Sequence, residues 1–112
     1  MIAVIFELEP RPGKLEPYLD IAADLKPRLE KIDGFISVER FQSLTTPGKY
    51  VSISFWRDEE AVAEWRRQAH HRRAQHVGRT EMFAGYRLRV AQVLRDYGME
   101  QRTEAPADAI AV

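Results

Sequence analysis

The chain contains no cysteine, which excludes a disulfide framework, a thiolate nucleophile and any cysteine-ligated zinc or iron–sulfur site. It has no excess charge of either sign, since 17 Lys and Arg balance 17 Asp and Glu. No broad basic field is therefore present to hold a nucleic acid or an anionic membrane, and the lack of net repulsion eases self-association. Long apolar runs are missing as well. No segment approaches the roughly 20 apolar residues of a membrane helix. The opening MIAVIFELEPRPG lacks the basic and extended apolar regions of a secretory leader. These absences point to a cytoplasmic protein that binds neither nucleic acid nor membrane. A length of 112 residues suits a single domain with a modest core and much uncovered surface.

What is present follows regular periods. Ile2 to Leu8 is a short β-branched apolar run closed by the PRPG turn, and it reads as a strand buried on both faces. Leu15, Tyr18, Leu19, Ala22, Leu25, Leu29 and Ile32 fall at helical spacing, giving a helix that ends near Asp33-Gly34 with a kink expected at Pro27. Phe35 to Leu44 and Lys49 to Trp56 read as a hairpin around TTPG. Tyr50, Ser52, Ser54 and Trp56 share one face of its second strand, and Val51, Ile53 and Phe55 share the other. Asp58 reads as a helix N-cap with Glu59 and Glu60 in the first turn. That helical region runs to about Val77, with a break expected near Gln68. Phe83 to Leu94 alternates again, with Tyr86, Leu88 and Val90 on one face and Arg87 and Arg89 on the other. Residues 99–112 have no periodic pattern and read as a flexible or partner-ordered tail after a domain spanning residues 1–98.

The order strand, helix, strand, strand, helix, strand is that of the ferredoxin-like split βαβ unit, an α+β fold with a four-stranded antiparallel sheet. Its helices cover one sheet face. The strand aromatics make the other face too apolar to stand in water, so a homodimer packed sheet against sheet is expected.

All three histidines lie in AHHRRAQHVGR, residues 69–79. On a continuous helix His76 shares the face of Trp65, within about 40°, while His70 and His71 fall on opposite flanks. Side chains so spread do not form a metal site, and no metal is expected. The accompanying arginines complement the dipole of a helical segment that starts acidic, which explains most of the charge without any function. His71 and His76 remain separate candidates for a single acid–base group, with a structural hydrogen bond as the alternative for His71. Trp56 and Trp65 are candidates for a ligand platform, with core packing the alternative. Tyr86, Arg87 and Arg89 are candidates to hold a substrate oxygen, with pairing across an interface or solvation the alternative for the arginines.

The segments IDGFISVERFQSL, VSISFWRDEEAVAEWR and AHHRRAQ followed by GYRLRVAQVLRDYG, taken with the order of elements, resemble the antibiotic-biosynthesis-monooxygenase domain family of dimeric α+β barrels over residues 1–98. The resemblance implies a pocket inside each protomer between sheet and helices, lined by an aromatic at Trp65, and it places the family's histidine at His71. It implies oxidation by O2, without a cofactor, of a small electron-rich aromatic of quinol or anthrone type. Under that reading His71 or His76 is the base and Trp56, Trp65, Tyr86 and Arg87 bind substrate. The family also includes haem-degrading proteins and many small dimers with no known substrate, so the alternatives for this chain are a non-catalytic small-molecule-binding dimer and, less readily, a haem-binding or haem-degrading protein. Its quinol-oxidising and haem-degrading members rely on an asparagine near the first strand, whereas this chain has no asparagine and offers Phe6 or Glu7 there. Counting from Trp65, the haem ligand position falls on Gln75, one short of His76, which argues against haem chemistry.

Overall fold

A computed structural model describes residues 1–70 and 81–109 of the chain. The elements are β1 (Ile2–Pro10), α1 (Leu15–Leu29), β2 (Phe35–Gln42), β3 (Tyr50–Trp56), α2 (Glu59–His70) and β4 (Phe83–Gln92). The four strands form one sheet in the order β2-β3-β1-β4, with every pairing antiparallel. This is the ferredoxin-like split βαβ topology that the order of elements implied.

Each boundary has a local cause. β1 runs two residues past the expected Leu8, its pairing with β4 shifting between Glu9 and Pro10 as it meets the proline-rich turn. Pro27 stands in the last turn of α1, so its missing N–H falls where the helix is ending rather than at mid-length. Gly34, in the turn just before β2, has φ +95°, and a Cβ there would come within 2.8 Å of the Ala61 Cβ. The close approach of α2 to this turn thus requires glycine. Helix α2 begins after Asp58, whose Oδ1 accepts the Ala61 backbone N–H at 2.9 Å. That is the N-cap bond expected from the sequence. Of the expected helical run to Val77, residues 59–70 are α-helix and the remainder lies outside the described residues. The segment after β4 forms turns, with Arg102 donating to the Gly98 carbonyl at 3.0 Å and its guanidinium 5.3 Å from the Tyr97 ring centroid.

The Asp58 carboxyl is held below its ordinary range, first by the Ala61 N–H and then by the Arg57 guanidinium. A depressed folded-state pKa contributes stability that is present above the unfolded value and is lost as pH falls through the folded value. Asp58→Ala is therefore expected to lower Tm by a few degrees near neutral pH, with the difference from the parent shrinking in acid. Asp58→Asn, which caps comparably without titrating, is expected to keep the neutral-pH Tm and lose the acid dependence. Thermal melts across pH 3 to 7 check both.

The core lies on one side of the sheet. Leu29, Ile32, Trp56, Ala61 and Val62 form one buried cluster joining the end of α1, the end of β3 and the start of α2. Leu8, Tyr18 and Phe83 form a second at the other end of the sheet. The opposite sheet face carries Ile5, Phe41, Val51, Ile53 and Phe55, placed there by strand alternation. No described element covers that face.

Candidate active site

Between the two core clusters the sheet and helices do not close, leaving a cavity of about 270 Å³. Its floor is built from rows of residues in register across the sheet. Arg40, Ser52, Phe6 and Leu88 form one row, and Val38, Ser54, Val4 and Val90 the next. Trp56 closes one end, Tyr18, Ala22, Leu25 and Leu29 of α1 form part of the roof, and Val62 and Trp65 of α2 complete it. On β3 it is thus the mixed face, with two serines and a tryptophan, that lines the cavity, while the uniformly apolar face of Val51, Ile53 and Phe55 lies outside. The size falls near the lower end of small-molecule sites, roughly 300–1,000 Å³, and mostly apolar walls with a few polar groups are their usual make-up.

Those polar groups are individually placed. The Trp56 ring is 1% exposed, and its Nε1 donates to Ser54 Oγ at 2.9 Å. The bond satisfies the buried indole N–H. Phe35 meets the same ring edge-on at 5.3 Å between centroids. Tyr18 is buried, and its hydroxyl oxygen accepts a hydrogen bond from Arg40 Nε at 3.3 Å. The half-buried Arg40 has no carboxylate within ion-pair distance among the described residues.

The sequence-derived candidates divide accordingly. Trp56 and Trp65 both line the cavity. Tyr86 projects from the same sheet face one row further on, opposite Leu8, and packs against Phe6 and Phe83 at 5.6 and 6.2 Å. It stands outside the cavity wall and is 65% exposed. Arg87 pairs with Glu7 in the β1–β4 register and projects from the opposite face, so the fold does not bring it to the cavity. Arg89 is on that face too, bonded to Glu7 at 3.0 Å, with Lys49 on the other carboxylate oxygen at 3.2 Å. Lys49, then Arg89, hold the Glu7 carboxyl below its ordinary range. His71 and His76 lie outside the described residues.

In the first-strand region, where the resemblance implied an asparagine, Phe6 points into the cavity and Glu7 away from it. The polar groups come instead from α1, β2 and β3 as Tyr18, Arg40, Ser52 and Ser54, none of which was singled out as a binding residue from the sequence. The available signal was the parity of the hairpin, which puts Arg40 directly across from Ser52.

A split βαβ sheet with a largely apolar cavity under its helices defines a ferredoxin-like α+β domain. Residues 1–77 match the family described as antibiotic biosynthesis monooxygenase, and the chain belongs to that family. It is 50% identical over 93 residues to a protein of Pyricularia oryzae named jasmonate monooxygenase ABM, a match covering 83% of this chain and 43% of that protein. The chain thus spans less than half the length of that relative. Among solved structures, Rv0793 from Mycobacterium tuberculosis superposes with a TM-score of 0.71 at 26% identity, covering 85% of this chain and 96% of that one. SnoaB, a cofactor-independent oxygenase from Streptomyces nogalater, superposes with a TM-score of 0.69 at 13% identity, covering 85% and 94%. At that identity the second likeness is one of fold. Among the described residues no helix is long and apolar enough to cross a membrane.

Proposed function

We propose that the chain is a monooxygenase domain that takes a small, largely apolar organic substrate into the cavity between sheet and helices and lets its anion react with O2 there. The observation that carries this reading is the apolar cavity walled by Trp56 and Trp65 in a chain that belongs to a monooxygenase family. A substrate of quinol or anthrone type needs no resident cofactor. Loss of a proton gives an electron-rich enolate or phenolate, which donates an electron to O2. For an anthrone the overall change is CH2 + O2 → C=O + H2O, which balances without an added reductant. His71 or His76 would take the proton, Trp65 would pack the ring, and the dry apolar wall would keep water from the intermediates.

The same reading includes a homodimer. The open sheet face carries Ile5, Val51, Ile53 and Phe55 around the Glu7–Lys49–Arg89 ion cluster, and two such faces packed together would remove this apolar surface from water. Oxygen-electrode measurements on the full chain test the activity with a quinol and with an anthrone, the substrates whose oxidation balances without an added reductant. Enzyme-dependent uptake is expected with at least one. Trp65→Ala is expected to lower it about tenfold or more, the loss of roughly 1.4 kcal/mol of positioning. Binding of these compounds without uptake would leave a ligand-binding domain in place of an oxygenase.

A further inference from the structure

We propose that Arg40, Tyr18 and Ser52 form a carboxylate clamp in the cavity wall, so that the preferred ligands are small apolar carboxylic acids. The inference names the substrate class of the cavity assigned above and rests on that cavity being the ligand site. Arg40 of β2 and Ser52 of β3 are direct partners across the sheet, and both side chains line the cavity with Tyr18 of α1 above them. Arg40 uses Nε to bond the Tyr18 hydroxyl. That bond orients the guanidinium and, among the described residues, leaves both Nη groups without a partner, a forked pair of donors matched to the two oxygens of a carboxylate. Because the tyrosine oxygen accepts from Arg40, its own O–H is available to donate, and the Ser52 hydroxyl adds a further donor from a buried residue.

The charge balance favours a monoanion. No carboxylate lies within ion-pair distance of Arg40 among the described residues. A partly desolvated cation of this kind gains most from an incoming anion that replaces lost water. A phosphate, with more charge and three oxygens to satisfy, would call for additional cations. The only other arginine in the described wall is Arg66, an exposed α2 residue. A lone phenolate or enolate oxygen would engage a single donor of the fork. The rest of the wall, from Val4, Leu25, Trp56 and Val90, is apolar and suits the hydrocarbon body of such an acid.

The test measures binding, not turnover, on the full chain. Isothermal titration calorimetry at pH 7 compares 4-phenylbutyrate with its methyl ester, which has the same body and no charge. The acid is expected to bind about tenfold or more tightly than the ester, the equivalent of one charge-assisted pair. In Arg40→Met the ratio of the two affinities is expected to fall to about one. Arg40→Lys, which keeps the charge and loses the fork, is expected to give an intermediate ratio, and Tyr18→Phe a smaller loss. Circular dichroism establishes that each variant is folded. Equal affinities for acid and ester in the parent protein, or an acid preference undiminished in folded Arg40→Met, would overturn the clamp. The outcomes separate the two proposals: acid preference without O2 uptake by any compound removes the oxygenase alone, and uptake with quinols but no acid preference removes the clamp alone.

Discussion

Trp56→Ala is expected to destabilise the fold by about 3–5 kcal/mol, the range for removing a buried tryptophan from a packed core. Trp56 is 1% exposed and ends β3 where the last turn of α1, the first turn of α2 and the start of β2 converge. Truncation removes the packing shared by Leu29, Ile32, Ala61 and Val62 and leaves Ser54 Oγ without its indole donor. Because the ring also closes one end of the cavity, the loss enlarges a space that is already present instead of letting the walls collapse. Trp56→Phe keeps an aromatic edge for Phe35 and is expected to cost less than half as much. Urea unfolding with an unchanged m-value and a lower midpoint would register the effect as one of stability.

Ile53→Asp is expected to convert a dimer to a folded monomer. Ile53 sits near the middle of the open sheet face, opposite Ile5 on β1 and Glu39 on β2. In a monomer the new carboxylate meets water and a neighbouring acid, a small change. In the proposed dimer it would be buried in an apolar seam without a partner, a situation that costs about 3–5 kcal/mol. Each of the two carboxylates in the symmetric pair thus weakens association by roughly a hundred- to several-thousand-fold. Sedimentation velocity, with circular dichroism on the same sample, separates loss of association from loss of folding. A monomeric parent protein would remove the dimer from the account.

Much of the fold was legible because its signals are local. β-branched runs, an Asp58 cap followed by two glutamates, and the Gly34-Phe35 start each act within a few residues, and the observed elements begin at or within a residue or two of the expected places. The site was only partly legible, for a different reason. Strand alternation sorts side chains into two faces but does not say which face the helices will cover when both are apolar enough to bury. The mixed Ser52, Ser54, Trp56 face turned inward. The same parity sets Tyr86 and Arg87 on opposite sides of β4, so the two cannot serve one cavity from adjacent positions. Arg40 shows what one-strand reading misses. Within FISVERFQ it is one of two charges, between Glu39 and Phe41, and its meaning comes only from Ser52 beside it and Tyr18 arriving from a helix more than twenty residues away.

The Glu7 cluster shows how that parity assigns roles. Its carboxylate lies between Lys49 and Arg89 on the open face, where it would help fix the register of two packed sheets, while its neighbour Phe6 lines the cavity. Phe6 and Glu7 are thus divided between a proposed binding wall and a proposed interface. In the proposed reaction the base is then sought on another element, and His71 and His76, outside the described residues, are the proposed candidates.

The proposed activity depends on a substrate held in the cavity reacting directly with O2. Its most direct test is mass spectrometry of the product formed from an anthrone under ¹⁸O2, with the full chain in chelator-treated buffer and no added reductant. Enzyme-dependent formation of a product carrying one ¹⁸O atom, diminished in Trp65→Ala, is expected. Product without ¹⁸O, or formed at the same rate without the protein, would contradict it.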